Sequence, residues 1–478
     1  MRCLREKTHK KVYKIYSQDK KEETGMAKLL MYSDGVKLLF ALIIGVIGYF
    51  LSIFFLSQQQ SILVGIIAML IALWTNEVLP LGVVSLLPIV LFPAFGIIDT
   101  KMTTANYAHP IIYLFLGGFM LAIGVEKTKL HIFIADKILS FFPSTPRGMI
   151  FSLALTSGLL SSILSNTTTT LLLISIAIFL TNNAKLKMRF ALAIAYGASI
   201  GGILTPIGTP PNLILLGIMQ EHNMELIPFF KWMMMVAPLV FVMLVSVSLL
   251  LSVGVGNMKI QRDIEVHPLN TQQKKVLGLM FGLIALLFVN APIRPYWDGL
   301  GMSESVILLS FGLLLFFPYF QVLDWRDDAH KIPYAIMFLF GAGFSIAKAF
   351  SHTGLADELA SYLLQITDMT PVLLLLSIAI LITFTTEVTS NTALISIMLP
   401  VIYSVAEQSG INTTLFMMVA TVCASYAFML PIATAPNAIA MSSGAVHVKD
   451  MIRYGIILNL LGIFFIVITA SLFWKNIL

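Results

Sequence analysis

The chain has 478 residues, of which 58% are hydrophobic and only 11% are charged, with a formal net charge of +6. Because a water-soluble protein carries about a quarter of its residues charged, this composition excludes a soluble protein and predicts an all-α polytopic membrane protein. The two cysteines, Cys3 and Cys423, lie far apart in sequence, and no disulfide is expected.

The N-terminal segment, residues 1–35, is basic and polar and is predicted to lie in the cytoplasm. It lacks the hydrophobic core and the small-residue cleavage site of a secretory signal peptide. Residues 36–108 form the first group of membrane helices, with hydrophobic spans at 37–56, 61–80 and 82–98.

The remainder of the chain divides into six predicted segments. They are 109–218, with a hairpin at 149–182 and a broken helix at 190–218; a connecting helix within 219–254; a cytoplasmic linker at 255–273; a second group of membrane helices at 274–320; 332–443, with a hairpin at 371–405 and a broken helix at 413–443; and a last helix at 451–474.

Two of these segments repeat each other without gaps, at a constant numbering offset of 225. Ser165-Asn166-Thr167 recurs as Ser390-Asn391-Thr392, and the proline-containing segment 205–212 recurs at 430–437. Paired polar and helix-breaking interruptions of hydrophobic stretches are typical of a transporter site formed between two repeats. The alternative is that these residues only mediate helix packing or kink helices. This alternative explains a single triplet well, but it explains two triplets at a common offset less well.

The distribution of Lys and Arg predicts the orientation of the chain. Nine lie in the N-terminal tail, most of the others form five further clusters, and the loops at 219–228 and 406–412 hold none. A cytoplasmic N-terminus and an external C-terminus place every cluster inside only if 149–182 and 371–405 do not cross. These two segments are therefore predicted to be re-entrant hairpins that enter from opposite sides. The fold prediction is about 11 transmembrane helices plus two re-entrant hairpins, arranged as two inverted-topology repeats.

The Ser-Asn-Thr triplets lie at the predicted hairpin tips, where the second arm begins with free backbone N–H groups. Such a helix start stabilises an anion without a buried Lys or Arg. Side-chain donors at the same points are Asn166, Thr167, Asn391 and Thr392. The preceding serines, Ser165 and Ser390, are expected to cap the arms.

The proline-containing segments break their helices and leave backbone carbonyl groups unpaired. Hard cations such as Na⁺ take oxygen ligands, so each half offers a cation site beside an anion contact. The repeat register pairs the candidate ligands: Ser161 with Thr386, Asn166 with Asn391 and Gly208 with Ala433, with Thr389 in the second set only.

Glu387 is an intramembrane carboxylate, and its counterpart in the first repeat is Ser162. Carboxylates at this depth are functional candidates by default. Two interpretations stay open: ion coupling, or a salt bridge at the base of the hairpin with Lys348 as partner. His109, near the predicted outer interface, is interpreted as structural.

With these residues the chain resembles the divalent anion/sodium symporter (DASS) family over about residues 37–474. The resemblance rests on the paired Ser-Asn-Thr triplets and on the segments GTPPN and ATAPN that follow them. It implies a homodimer, a fixed scaffold that includes 61–98 and 274–320, and an elevator motion of the hairpins with the broken helices.

The resemblance also assigns site residues. Its substrate contacts fall on Asn166, Thr167, Asn391, Thr392, Thr209, Thr434 and Ala435. Its first sodium site falls on Ser161, Ser165, Asn166 and Gly208, and its second on Thr386, Thr389, Asn391 and Ala433. Ala435 departs from the proline found there in many relatives and leaves an additional N–H group in the pocket.

The predicted function is sodium-coupled import of a C4-dicarboxylate across a bacterial inner membrane. The alternatives are a sodium-independent dicarboxylate exchanger, a sodium/sulfate symporter of the same fold and a membrane-embedded enzyme. An exchanger is expected to place a basic group in the cation site, and no such position is Lys, Arg or His. An enzyme is disfavoured because the spans carry no H-E-x-x-H, no G-x-S-x-G and no paired Asp. No organic cofactor is expected.

Overall fold

The computed structural model describes residues 34–178, 180–256, 268–292, 296–366 and 370–478. The predictions for the basic N-terminal segment and for most of the 255–273 linker lie outside the described residues. The described chain consists of helices joined by turns and loops, which confirms the all-α membrane fold class.

Two compact units divide the chain, one up to Val84 and one from Ser85 to Leu478. In the first unit, α1 spans Asp34–Ser52 and α2 spans Gln58–Asn76. A Cβ atom added to Gly45 on α1 would lie 2.9 Å from the carbonyl oxygen of Gly65 on α2, so the two backbones approach closely. Helix α3, Leu81–Ala94, begins in the first unit and ends in the second.

The described part of the second unit contains eighteen further α-helices. They are α4 Thr100–Ala105, α5 Pro110–Lys127, α6 Leu130–Ser140, α7 Pro146–Ser161, α8 Asn166–Ala177, α9 Ala184–Gly202, α10 Pro210–Glu221, α11 Phe229–Ser252, α12 Thr271–Asn290, α13 Glu304–Leu314, α14 Trp325–Asp328, α15 Tyr334–Thr353, α16 Leu355–Ile366, α17 Pro371–Thr385, α18 Asn391–Gln408, α19 Thr413–Ala424, α20 Ala435–Ser442 and α21 Val448–Leu472.

The predicted repeat is visible in where these helices begin. Five pairs of helices start at positions that differ by the sequence offset: α4 and α14, α6 and α16, α7 and α17, α8 and α18, and α10 and α20. The offset in sequence therefore coincides with an offset in local structure. The inverted orientation of the two repeats and the segment boundaries stay predictions.

Three of the four predicted hairpin arms are shorter than a membrane span, and the fourth, α18, is at its lower limit. Helices α7, α8, α17 and α18 have 16, 12, 15 and 18 residues, against about 20 for a crossing helix. Seven helical stretches among the described residues are long and apolar enough to cross, the 28-residue stretch Thr100–Lys127 among them. The total of about 11 crossing helices stays a prediction.

Residues from three of the segments predicted to be cytoplasmic meet at one end of the second unit. The buried carboxylate of Asp328 accepts hydrogen bonds from the Nζ atoms of Lys127, at 2.6 Å, and Lys331, at 2.8 Å. Gln273, at the start of α12, donates to the carbonyl oxygen of Thr128 at 3.1 Å. The C-terminal end of α5, the N-terminal end of α12 and α14 therefore lie together.

Small residues allow a very close contact between α7 and α9. A Cβ atom on Gly201 would lie 2.0 Å from the carbonyl oxygen of Gly158, so no other residue fits there without displacement of backbone. This contact places the end of α9 against the arm that leads to the first triplet.

Candidate functional site

The first cluster of predicted site residues forms where α7 ends and α8 begins. The hydroxyl of Ser161 donates to Oδ1 of Asn166 at 2.5 Å. A Cβ atom on Gly202 would lie 2.7 Å from this Oδ1 and 3.3 Å from the carbonyl oxygen of Gly208. The structure therefore brings together three predicted sodium ligands, Ser161, Asn166 and Gly208, around the bare backbone of Gly202.

The non-helical segment between α9 and α10 is fixed by two hydrogen bonds of the same region. The hydroxyl of Thr205 donates to the carbonyl oxygen of Ser162 at 2.5 Å, and Nδ2 of Asn212 donates to the carbonyl oxygen of Thr205 at 2.9 Å. The break in the helix is thus tied both to the triplet loop and to the first turn of α10.

The second cluster repeats this arrangement between α17 and α18. The hydroxyl of Thr386 contacts Oδ1 of Asn391 at 2.6 Å and the carbonyl oxygen of Ala424 at 2.9 Å. Asn437 donates from Nδ2 to the carbonyl oxygens of Leu430, at 3.0 Å, and Ala427, at 2.9 Å. Oxygen atoms converge in both clusters, as a hard cation requires.

These contacts recur at the sequence offset. Ser161 to Asn166 corresponds to Thr386 to Asn391, and the bond from Asn212 to residue 205 corresponds to the bond from Asn437 to residue 430. The same sequence spacing therefore produces the same local geometry in both repeats. In the second cluster, Ala433 is buried in the segment that these bonds hold.

Both serines of the triplets were predicted to cap the following helix, and only one of them does. Ser165 does cap α8, because its hydroxyl oxygen accepts from the N–H group of Thr168 at 3.1 Å. Ser390 makes no side-chain cap to α18, so that prediction was wrong. The hydroxyl of Thr389, in the loop after α17, donates to the carbonyl oxygen of Thr385, the last residue of that helix, at 2.9 Å.

The predicted substrate contacts differ in exposure between the two clusters. Thr167 is exposed, whereas Thr392 is 8% exposed. Thr209 is buried at the start of α10, and the hydroxyl of Thr434 accepts weakly from the N–H group of Asn437, at 3.4 Å. Ala435 is exposed at the first position of α20.

The buried carboxylate of Glu387 holds the break between α19 and α20. Its oxygens accept hydrogen bonds of 2.8 to 3.1 Å from the N–H groups of Phe428, Met429 and Leu430. Nδ2 of Asn459, on α21, donates to Oε1 at 2.6 Å. Four donor groups among the described residues therefore satisfy this carboxylate, and none of the four is a Lys, Arg or His side chain.

The predicted salt bridge between Glu387 and Lys348 was wrong. Lys348 instead pairs with Glu221, at 3.3 Å, and the broken helix supplies backbone donors to Glu387. Asn459 was not among the predicted residues, because the last helix has no counterpart in the triplet pattern. A polar residue in the middle of a 25-residue hydrophobic helix was the available signal. His109 caps α5 and contacts the ring of Phe344, in line with its structural interpretation.

Comparison with known proteins identifies the class. The citrate transporter family model, CitMHS, matches residues 69–421. The chain belongs to this family of membrane transporters, which confirms the DASS-type resemblance, and it is a transporter rather than an enzyme.

Two relatives extend the comparison over most of the chain. The sodium-dependent dicarboxylate transporter SdcS of Staphylococcus saprophyticus is 30% identical and aligns over 87% of this chain and 86% of its own length. SdcS of Staphylococcus aureus strain NCTC 8325 is also 30% identical, with 90% of each chain covered.

Two solved transporters share the fold. MtrF of Neisseria gonorrhoeae, described with a class of antimetabolite efflux pumps, has a TM-score of 0.57 at 13% identity over 78% of this chain and 83% of its own. The Alcanivorax borkumensis YdaH transporter has a TM-score of 0.56 at 16% identity over 78% and 88%. At these identities the likeness concerns architecture alone.

Proposed function

We propose that the protein imports a C4-dicarboxylate such as succinate, fumarate or malate together with sodium. The observation that carries the proposal is the pair of clusters, Ser161 with Asn166 and Thr386 with Asn391, each at a helix start and related by the repeat offset. The names of the two SdcS relatives support a sodium-dependent carrier of dicarboxylates.

The substrate is proposed to lie between the N-terminal ends of α8 and α18. Each end presents backbone N–H groups and the positive end of the helix dipole, so one end suits each carboxylate of a C4 dianion. Asn166, Thr167, Asn391 and Thr392 would add side-chain donors. Thr209 and the Thr434-Ala435 backbone would complete the pocket.

Sodium is proposed as the co-transported ion. The first set of ligands is Ser161, Ser165, Asn166 and Gly208, and the second is Thr386, Thr389, Asn391 and Ala433. Two sodium ions neutralise a dianion, which removes a cost of about 2.3 kcal/mol per charge per 100 mV for entry into an inside-negative cell.

Unequal surroundings of the two repeats support an elevator motion. On α15, Phe344 lies against Gly217 of α10, and a Cβ atom on Gly343 would lie 3.1 Å from Cβ of Ser396 on α18. On the corresponding helix α5, a Cβ atom on Gly118 would lie 3.3 Å from Cδ1 of Ile207 in its own repeat, but α5 also packs closely on α13, where a Cβ atom on Gly117 would lie 2.4 Å from the backbone of Leu308. An elevator motion exchanges the contacts of one repeat for those of the other. The two repeats are therefore expected to have different neighbours in any one conformation.

We further propose a homodimer in a bacterial inner membrane, with a cytoplasmic N-terminus and an external C-terminus. The orientation is supported by the meeting of Lys127, Asp328 and Lys331 at one end of the unit. The positive-inside rule assigns that end to the cytoplasm.

Uptake of labelled succinate into proteoliposomes tests the proposal. An inward sodium gradient is compared with equal potassium or choline, for the wild type and for Asn166→Ala and Asn391→Ala. Sodium-dependent uptake that each substitution abolishes is expected. Uptake that does not depend on sodium and that requires dicarboxylate inside the liposomes would identify an exchanger.

Citrate is the second candidate substrate, because the matching family model is described as a citrate transporter. Competition by excess citrate, fumarate, malate and sulfate against labelled succinate ranks the anions. Stronger competition by citrate or sulfate than by the C4 acids would overturn the proposed substrate class.

A further inference from the structure

A buried tryptophan outside the two clusters contacts the helix break of the first repeat. Trp232 lies in the first turn of α11, and its side chain is fully buried. Its indole Nε1–H group donates to the carbonyl oxygen of Ile203 at 3.0 Å. Ile203 is the C-terminal cap residue of α9 and directly precedes the non-helical segment that leads to α10. The bond therefore satisfies a carbonyl group of the kind that a helix end leaves without an intrahelical donor.

The residue before Ile203 lies between two of the proposed sodium ligands. A Cβ atom on Gly202 would lie 2.7 Å from Oδ1 of Asn166. A Cβ atom on Gly208 would lie 2.3 Å from the carbonyl oxygen of Gly202. The backbone of Gly202 is thus packed between Asn166 and Gly208, and a displacement of the end of α9 would change the distance between these two ligands.

Two further contacts fix the position of α11. The N–H group of Phe229, its first residue, donates to Oε1 of Glu304 at 2.7 Å. Farther along α11, Leu244 packs against α7, because a Cβ atom on Gly158 would lie 3.1 Å from Cδ1 of Leu244. Helix α11 is therefore anchored at its start and along its length, and the indole group of Trp232 ties the end of α9 to this anchored helix.

The second repeat has a related arrangement. Nδ2 of Asn459, on α21, donates to Oε1 of Glu387, and the oxygens of this carboxylate accept from the backbone of the second break. In each repeat the helix that follows the break, α11 or α21, therefore supplies a buried N–H donor toward it. Trp232 donates to the break directly, whereas Asn459 acts through Glu387.

We propose that Trp232 is a positioning residue for the first sodium site, an inference that rests on the proposed function. By holding the carbonyl group of Ile203 it fixes Gly202, and thereby the separation of Asn166 and Gly208. The indole group is a hydrogen-bond donor only, so it is not itself a ligand of the ion. Residues that orient the ligands of a metal site typically change its affinity for the metal by about 10- to 100-fold.

Trp232→Phe tests this role, because phenylalanine keeps a buried aromatic ring and lacks the N–H group. We expect the sodium concentration for half-maximal succinate uptake to rise about tenfold, with an unchanged KM for succinate at saturating sodium. The matched control is Trp474→Phe. Trp474 is also fully buried, and its Nε1–H group donates at 2.9 Å to the carbonyl oxygen of Met235, which lies on α11 and outside the helix break. This variant should keep the wild-type sodium dependence.

The outcomes separate this inference from the proposed function. Wild-type uptake that does not depend on sodium would contradict the proposed function, and the inference with it. If the wild type does depend on sodium, an equal change in Trp232→Phe and Trp474→Phe would overturn the inference alone, because it would show a general effect of losing a buried indole. A rise in the KM for succinate as large as the rise in the half-maximal sodium concentration would also overturn it.

Fluorine NMR of the wild-type sequence tests the inference even if Trp232→Phe does not fold. The chain has five tryptophans, so labelling with 5-fluorotryptophan introduces five fluorine atoms. Phenylalanine variants of the other four tryptophans assign the signal of Trp232 by elimination. Sodium chloride without succinate, compared with choline chloride, should shift the Trp232 signal and leave that of Trp474 in place. A Trp232 signal that sodium does not move would overturn the proposal.

Discussion

At the scale of single residues, the two hydroxyl–amide pairs define the proposed cation sites. Ser161→Ala and Thr386→Ala each remove one oxygen atom from a cluster in which the hydroxyl lies within 2.6 Å of an asparagine oxygen. We expect each to raise the sodium concentration for half-maximal uptake about tenfold, equivalent to about 1.4 kcal/mol. The measurement is initial uptake rate against sodium concentration.

Thr421→Val is the matched control for these substitutions. Its buried hydroxyl donates to the carbonyl oxygen of Met417 within α19 and belongs to neither proposed ligand set, so removal is expected to change the sodium dependence little. An increase as large as that of Thr386→Ala would show that the effect comes from the loss of a buried hydroxyl in general rather than from the loss of a ligand.

Glu387 provides the second prediction at this scale. Glu387→Gln replaces an ionised acceptor by an amide whose NH₂ group faces backbone donors, so part of the network around Phe428, Met429 and Leu430 is lost. We expect a loss of about 2–4 kcal/mol of stability, because buried donors are left without acceptors. Thermal unfolding in detergent measures it. The same change at the exposed Glu126 should be neutral, and equal melting temperatures for both variants would refute the anchoring role.

At the scale of helices, the contact between α7 and α9 depends on the absence of side chains. Gly201→Ala inserts a Cβ atom 2.0 Å from the carbonyl oxygen of Gly158, and the helices must separate. A loss of about 2–3 kcal/mol is expected from this overpacking. Gly278→Ala on α12 is the control: no atom lies within 4 Å of the added Cβ, and a gain of about 0.5–1 kcal/mol is expected from the helix propensity of alanine. A higher melting temperature for Gly201→Ala than for Gly278→Ala would contradict this packing.

The contact of α14 with the end of α5 makes stability depend on pH. Burial alone would raise the pKa of Asp328, but hydrogen bonds from Lys127, Lys331 and the N–H group of Asp324 lower it from 3.8 to about 2. A depressed carboxyl pKa gives stability that is present above 3.8 and is lost as the pH falls from about 3.8 to about 2. The contribution at neutral pH is about 2 kcal/mol.

Asp328→Asn should therefore lower the melting temperature at pH 7. It should also remove much of the fall in melting temperature that the wild type shows between about pH 3.8 and about pH 2. Asp327→Asn, an exposed neighbour on α14, should preserve the wild-type pH profile. Identical profiles for Asp328→Asn and the wild type would show that the lysines stabilise this end by some other contact.

At the scale of the whole molecule, the proposed motion requires α15 to separate from α18. A disulfide in the double variant Gly343→Cys with Ser396→Cys, whose Cβ atoms would lie about 3.1 Å apart, should hold the two helices together. We expect oxidation to lower succinate uptake at least tenfold and reduction to restore it. Each single variant serves as a control for oxidation itself, and a cross-linked protein with full uptake would rule out sliding at this contact.

The sequence predicted the class, the repeat offset and the helix starts at Asn166 and Asn391, because polar and proline residues inside hydrophobic stretches are strong local signals. It also assigned residues 161 and 166 to one proposed site and residues 386 and 391 to the other, although not the hydrogen bonds that join them. It did not predict the network of Glu387, because the donors are backbone groups of a distant part of the chain and Asn459 lies outside the repeat. Long-range pairing of a carboxyl group with a helix break has no periodic signature in one sequence.

The two repeats hold their helix breaks by different chemistry. In the first, the hydroxyl of Thr205 donates to the carbonyl oxygen of Ser162; in the second, the carboxylate of Glu387 accepts from the backbone of residues 428–430. If the halves descend from one duplicated ancestor, they have since diverged at matched positions in donor and acceptor roles. A chain rebuilt from two copies of the first half would keep both triplets but lose the acidic anchor, together with its contact to the last helix. The two repeats are therefore no longer interchangeable, because each stabilises its helix break with different hydrogen bonds.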